Sequence, residues 1–160
     1  MATFLNKKES KRILKDLSNY FGCDLLFLAE KYLFVLSSKK RLYIINRDLT
    51  KININNIRVN RIGLYFANIE HDIRLSIEGS QIVGPKATKN IVEIDENNRE
   101  KWMLGEDLNL NELKLINVKN KFVIVKCHDD FLGSGRISKN KLINYIPKER
   151  RIKATFISES

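Results

Sequence analysis

The stretch that decides the fold is FLGSGRISKNKLINYIPKERR, residues 131–151. Its apolar residues alternate as in β-strands, two glycines stand one residue apart, and its end is rich in positive charge. A dinucleotide-binding loop needs GxGxxG between a strand and a helix, and a P-loop needs GxxxxGK followed by Ser or Thr. GSGR at residues 133–136 fits neither, and another strand follows it. We therefore predict a bulge or sharp coil in a strand of a small barrel.

The charge of the chain predicts a polyanionic partner. Its net charge of +10 attracts RNA, DNA or an anionic membrane surface. Residues 113–153 hold 11 Lys and Arg against 3 Asp and Glu, whereas residues 89–112 hold 3 against 7. The candidate phosphate-binding residues, called the seven-cation set, are Arg136, Lys139, Lys141, Lys148, Arg150, Arg151 and Lys153. Arginine forks suit phosphate, and Trp102 and Tyr145 offer surfaces for base stacking; the alternative is a solvated face without a ligand.

No catalytic residue and no metal site is predicted. CHDD at residues 127–130 suggests a nucleophile, a base and a carboxylate, but neighbouring strand residues point to opposite faces. Cys127 and His128 are therefore not expected to meet, and a hairpin turn explains the polar run. Cys127 and Cys23 are predicted to be buried thiols. The other histidine, His71, is distant in sequence, so a His/Cys metal site is not expected.

The chain also lacks the signals of a membrane or secreted protein. No apolar run approaches the roughly 20 residues that span a membrane. The start, MATFLNKKESKR, has no apolar signal-peptide core. We expect a cytoplasmic location and no membrane partner.

A helix followed by short strands is predicted for residues 1–88. Asn6 caps the helix with Glu9 as its capping-box partner, and Gly22 ends it. Three β-rich runs, DLLFLAE, YLFVLSS and RLYIIN, predict an antiparallel meander packed against this helix. A strand is predicted at RIGLYFANIE and a short helix at RLSIEGSQIVG. The Gly-Pro step at residues 84–85 then closes this first domain.

Residues 89–155 are predicted to form a second domain, a small β barrel, which makes the fold class α+β. NIVEI is predicted to be a strand, and DENNREKWML a capped helix that ends at Gly105. The runs DLNL, ELKLINV, KFVIVKC, FLGSGRIS and KLINYI are predicted to be short strands. We place the boundary between the domains near residues 85–89.

This second domain resembles a PUA domain, an RNA-binding fold. KNIVEIDENNREKWMLGEDL is similar to the family's opening, a strand and a helix that ends in a Leu-Gly step before a second strand. KFVIVKCHDDFLGSGRIS is similar to its later hairpin, with the aliphatic-Gly-x-Gly pattern at residues 132–135. NKLINYIPKERR is similar to its closing strand. The chain departs from the family at Gly105-Glu106, where a Gly-Ala pair is common, and it has no further proline until Pro147.

The whole chain resembles two-domain ribosome-biogenesis factors built from a pre-PUA and a PUA domain. It is also similar to the C-terminal accessory region of NOL1/NOP2/sun family rRNA methyltransferases. The resemblance implies a non-catalytic RNA-binding protein in rRNA maturation or ribosome assembly. The resemblance implies rRNA or tRNA as the RNA partner. It implies ribosome-assembly proteins or an RNA methyltransferase as protein partners.

Two alternatives remain open, an accessory RNA-binding subunit of an RNA-modifying methyltransferase and a basic protein-interaction module. The sequence shows no glycine-rich strand-loop-helix for S-adenosylmethionine and no Pro-Cys nucleophile motif. We therefore predict that the chain is not an enzyme and needs no cofactor.

Overall fold

The structure is a computed structural model that describes residues 2–48 and 63–153. The first two residues of the predicted RIGLYFANIE strand and residues 154–155 of the predicted second domain lie outside these ranges. The described residues form an α+β fold with two separate sheets, which confirms the predicted fold class. None of their helices has the length and apolar character needed to cross a membrane.

The N-terminal half consists of helices packed on a five-stranded antiparallel sheet. Its elements are β1 (Thr3–Phe4), α1 (Lys7–Phe21), α2 (Leu28–Lys31), β2 (Tyr32–Leu36), β3 (Arg41–Asn46), β4 (Leu64–Asn68), β5 (Arg74–Leu75) and α3 (Ile77–Val83). The strands pair in chain order. Two of the three predicted meander strands, the strand at β4 and the short helix at α3 are confirmed.

Helix α1 begins and ends where its sequence predicts. Asn6 Oδ1 accepts a hydrogen bond from the Glu9 N–H, and Glu9 Oε2 accepts one from the Asn6 N–H, both at 2.8 Å. Gly22 ends the helix in the left-handed conformation, with φ of 66°. The face between these caps is buried and contains Leu14, Leu17 and Phe21. The predicted capping box and C-terminal glycine are confirmed.

The first predicted strand, DLLFLAE at residues 24–30, is wrong, because this run forms a turn and helix α2. Leu25, Leu28 and Ala29 are buried, whereas Leu26 and Phe27 are exposed. Buried positions at i, i+3 and i+4 follow the helical period rather than the alternation of a strand. Leucine, alanine and glutamate, which make up most of the run, also favour a helix.

The C-terminal half is a six-stranded curled sheet with one helix. Its elements are β6 (Ile91–Glu93), α4 (Glu96–Met103), β7 (Leu108–Asn109), β8 (Lys114–Ile116), β9 (Phe122–Cys127), β10 (Asp130–Ser138) and β11 (Lys141–Asn144). The strand order is β7-β11-β10-β9-β6-β8. Strands β6 and β9 are parallel, and the other pairs are antiparallel. Every predicted strand and the predicted helix of this half are present.

The Gly-Ser-Gly stretch forms the predicted bulge in β10. The register between β10 and β9 shifts between Phe131 and Ser134, and Gly133 has φ of 94°. Gly135 lets the strand approach the core, because a Cβ built there would lie 2.9 Å from Cη2 of Trp102. Gly133 therefore adopts a backbone conformation that other residues disfavour, and Gly135 leaves room for the Trp102 ring.

Gly133→Ala is expected to lower the free energy of unfolding by about 1–2 kcal/mol, because L side chains are strained at positive φ. The added Cβ would also lie 3.1 Å from Ile77 Cγ1. Urea denaturation measures the change. Ser138→Ala in the same strand is the control and should stay within about 0.5 kcal/mol of the parent. Equal stability of the two variants would contradict the argument.

The two halves share a hydrophobic core although their sheets are separate. Ile91 of β6 and Ile124 of β9 belong to the same buried cluster as Leu14 and Phe21 of α1 and Val83 of α3. A second cluster, centred on Trp102, lies within the C-terminal half except for the partly buried Ile77, which packs against it. The junction is therefore packed like a protein interior.

Hydrogen bonds cross the same junction. The Gly133 N–H donates to Ser80 Oγ at 2.9 Å, and Ser134 Oγ donates to the Leu75 carbonyl at 2.8 Å. The predicted domain boundary near residues 85–89 stays a prediction that limited proteolysis can test.

Candidate nucleic-acid interface

The structure places the members of the seven-cation set at several points of the C-terminal half. Three of its members line three different depressions, at Arg136, at Lys141 and at Arg150. Lys139 lies in the turn between β10 and β11, and Lys148 and Lys153 are exposed near the C-terminal end of the described chain. Phosphate binding by this set stays a prediction.

Lys141 lies in acidic surroundings. The depression that it lines also contains Glu106, Asp107 and Glu112. Lys101 lines it too, so the carboxylates outnumber the ammonium groups by three to two and weaken the attraction of the depression for a phosphate. Phosphate binding by Lys141 stays a prediction, and its surroundings do not favour it.

Arg150 and Arg151 hold the C-terminal segment against the protein. Arg150 Nη1 donates to Glu78 Oε1 at 2.7 Å. Arg151 Nε donates to the Ile146 carbonyl at 3.0 Å, and its guanidinium lies so close to Gly105 that a Cβ there would be 2.5 Å from Nε. Glu78 thus neutralises part of the Arg150 charge, whereas the acceptor of the Arg151 Nε–H is an uncharged carbonyl.

Arg136 has the surroundings of a phosphate-binding residue. It lines a depression of about 470 Å³ together with Lys119, Lys121 and Phe122. Its Nε is buried and has no hydrogen-bond acceptor among residues 2–48 and 63–153. The cations of this depression outnumber the carboxylate of Asp72, which also lines it, so the depression attracts anions.

A larger groove lies between the two halves, and sequence reasoning missed it. It has a volume of about 520 Å³ and is lined by Arg41 and Tyr65 from the N-terminal sheet and by Tyr145 from the C-terminal half. Arg74 of β5 lies in the same groove, with its guanidinium 4.8 Å from the ring centroid of Tyr145. The groove thus combines planar cations with aromatic rings.

Further ring contacts extend this arrangement in both directions. Arg74 also lies 5.9 Å from the Phe122 ring centroid, and Phe122 and Tyr145 meet edge to face at 5.3 Å. On the N-terminal sheet, the rings of Tyr43 and Tyr65 are 5.7 Å apart. These two tyrosines are cross-strand partners in β3 and β4. The alternation of the runs RLYIIN and LYFAN places both tyrosines on the outer face of the sheet, and this pattern could have identified them from the sequence.

The family comparison agrees with the fold of the C-terminal half. Residues 89–152 match the family described as "Methyltransferase RsmF PUA domain". They form a PUA domain. The chain is also similar in fold to the structure titled "Structure of a Conserved PUA Domain Protein from Thermoplasma acidophilum". That similarity has a TM-score of 0.58 at 18% identity and covers 91% of this chain and 93% of the other.

The comparison with curated proteins found no match. The family match and the similarity in fold confirm the predicted PUA domain. The predicted pre-PUA domain and the role in ribosome biogenesis stay predictions.

Trp102 cannot stack on a base, although it was a candidate for that role. Its side chain is 0% exposed and lies in the core of the PUA domain. Tyr145, the other candidate, is half-buried and faces the groove. Of the two predicted stacking residues, only Tyr145 remains available to RNA.

The prediction that Cys127 and His128 do not meet is wrong. Their ligand atoms and a Glu96 carboxylate oxygen all lie within 4.8 Å of one another. His128 Nε2 is 3.1 Å from Glu96 Oε1, and Cys127 Sγ is 3.8 Å from it. Strand alternation fails here because His128 lies in a turn with φ of 53°.

The chemistry of this cluster is restrained by its surroundings. Burial, together with the Glu96 carboxylate, raises the pKa of the Cys127 thiol, so the thiolate that attacks electrophiles or binds metal is disfavoured. The predicted absence of a metal site stays a prediction, since these atoms are of the types that bind zinc. Cys23 is only partly buried, which corrects the prediction of two buried thiols.

Proposed function

We propose that this chain is a non-catalytic RNA-binding protein that acts in rRNA maturation or ribosome assembly. The PUA domain at residues 89–152 is the observation that carries the proposal, because the PUA fold is an RNA-binding fold. The net charge of +10 supports it, since a polyanion is attracted to such a chain. The groove with its arginines and tyrosines offers both phosphate contacts and base stacking.

A salt titration of RNA binding tests this proposal. Affinity for bulk rRNA, followed by fluorescence anisotropy or filter binding, should fall linearly in log-log form as salt rises. The slope should be about 0.7 for each phosphate that is neutralised on a single strand. Polyglutamate serves as the matched polyanion without bases. Equal or tighter binding to polyglutamate would contradict the proposal and favour the protein-interaction module.

A second candidate is an accessory RNA-binding subunit for an RNA methyltransferase. The observation that favours it is the match to the PUA domain of methyltransferase RsmF. In this case the partner chain supplies the catalytic domain, and the present chain supplies contacts to RNA.

The purified chain is expected to transfer no methyl groups to bulk rRNA from tritiated S-adenosylmethionine. Its sequence has no glycine-rich cofactor loop, and the Cys127 thiol is 0% exposed, with a raised pKa. Incorporation of tritium into RNA measures the activity, with Cys127→Ala as the paired variant. Transfer by the parent that Cys127→Ala abolishes would show catalysis within this chain.

A further inference from the structure

We infer that single-stranded RNA binds along a continuous surface that crosses both halves of the chain and that lies partly outside the PUA domain. This inference rests on the proposed function and assigns the RNA class and its path. The surface, called the arginine–aromatic track, consists of Arg41, Tyr43, Tyr65, Arg74, Lys119, Lys121, Phe122, Arg136 and Tyr145.

The track is continuous because ring contacts join its two concave parts. Arg74 and Tyr145 line the groove between the halves. Phe122 lines the depression that contains Arg136. Arg74 lies over both rings, and the rings meet edge to face. A strand in the groove can therefore reach the depression along a chain of touching planar groups.

The charges along the track suit a phosphate backbone. Arg150 also lines the groove but is paired with Glu78. The remaining arginines and lysines that line the two concavities are Arg41, Arg74, Lys119, Lys121 and Arg136, against the carboxylates of Glu149 and Asp72. Burial raises the pKa of the Tyr20 hydroxyl, and the negative charge of Asp72 raises it further. The surplus of positive charge attracts phosphates along the whole path.

The alternation of planar groups and cations favours single strands over duplexes. Bases stack on aromatic rings and on guanidinium planes only where they are unpaired and exposed. The Arg41 guanidinium lies 6.0 Å from the Tyr65 ring centroid, so an unpaired nucleotide would meet a cation and a ring together, whereas an acidic peptide would use the cation alone. The track is therefore a better fit to single-stranded RNA than to double-stranded RNA or an acidic peptide.

One end of the track is held in place by a buried asparagine. Asn90 Oδ1 accepts hydrogen bonds from the N–H groups of Lys119 and Asn120, at 2.8 and 3.0 Å. Its Nδ2 donates to the Tyr20 carbonyl at 2.7 Å and to Asn120 Oδ1 at 2.9 Å. Asn90 therefore fixes the loop that carries Lys119 and Lys121 against the N-terminal helix. It is a positioning residue for the track.

The test compares full-length variants for binding to a fluorescein-labelled mixed-sequence single-stranded RNA of about a dozen nucleotides. Tyr65→Ala should weaken binding by about 5-fold or more without changing the salt slope, because a stacked base is lost and no charge is removed. Tyr65→Phe keeps the plane and should bind like the parent. Lys119→Ala with Lys121→Ala should flatten the salt slope by about 1.4.

Two further variants control for charge and for shape. Lys8→Ala with Lys15→Ala removes the same charge from exposed positions of α1, outside both the track and the seven-cation set, and should leave affinity within about twofold of the parent and the slope unchanged. Arg74→Lys keeps the charge but loses the guanidinium plane, so affinity should fall while the slope stays. Circular dichroism and thermal melting confirm that each variant is folded.

The outcomes separate the track from the proposed function. If the parent binds no RNA, the proposed function and the track are both overturned. If the parent binds and neither the Tyr65→Ala variant nor the Lys119/Lys121 variant is weakened relative to the Lys8/Lys15 control, RNA binding stands and the track is overturned. Equal affinity for a hairpin duplex of the same length would likewise overturn the assignment to single strands.

Discussion

Trp102→Ala is expected to lower the free energy of unfolding by about 3–5 kcal/mol, the range for truncating a large aromatic side chain in a core. Trp102 is 0% exposed, and its ring is in contact range of the strand at Gly135. It packs within the buried cluster of Val92, Leu108, Val125 and Leu142. Domains of this size are commonly stable by about 5–15 kcal/mol, so this single change removes a large share. Urea denaturation followed by far-UV circular dichroism measures it.

Trp102→Phe is the matched control. It keeps an aromatic ring and removes the indole N–H, which has no hydrogen-bond partner among the described residues. The smaller cavity and the removal of an unsatisfied donor should make this variant clearly more stable than Trp102→Ala. A Trp102→Ala protein with parental stability and weakened RNA binding would instead mean that the indole stacks on a base.

Asn90→Ala is expected to destabilise the chain by about 3 kcal/mol or more, since the net value of a hydrogen bond is about 1 kcal/mol and unpaired buried partners add to the loss. The side chain is fully buried and takes part in four hydrogen bonds that join α1 to the loop before β9. Its φ of 59° adds a further penalty, because asparagine tolerates this conformation better than alanine. Chemical denaturation gives the size of the loss.

Asn90→Gly separates the two contributions. Glycine removes the hydrogen bonds but accepts positive φ without strain, so it should be less destabilising than alanine by about 1 kcal/mol. Both variants should also weaken RNA binding at temperatures where they remain folded, because Lys119 and Lys121 lose their fixed position. Parental stability of Asn90→Ala would show that these hydrogen bonds are replaced by water.

Local signals in the sequence were sufficient for most of the fold. The capping box at Asn6 and the glycines of β10 act through neighbouring backbone atoms, so their patterns predicted helix ends and a bulge. The strand prediction for DLLFLAE failed because it followed the apolar content of the run, although Leu, Ala and Glu favour helices and the buried positions have helical spacing. The Cys127 prediction failed for a related reason, since one residue at positive φ reverses the alternation on which it depended.

The candidate site was the least predictable part of the molecule. Arg74, Phe122 and Tyr145 are far apart in sequence, and only the packing of β5 against the C-terminal half brings their planes together. The sequence could not show that Arg150 pairs with Glu78 or that Arg151 donates to the Ile146 carbonyl, because these contacts form only in the folded chain. Tertiary contacts thus create a candidate interface that the cations dominating the sequence do not indicate.

The core shared by Ile91, Ile124 and helix α1 has a consequence for the energetics of recognition. A junction packed in this way, and closed by the hydrogen bond from the Tyr20 hydroxyl to the Phe122 carbonyl at 2.8 Å, resists hinge motion. The protein surface is then preorganised, and the loss of conformational entropy on binding falls mainly on the RNA.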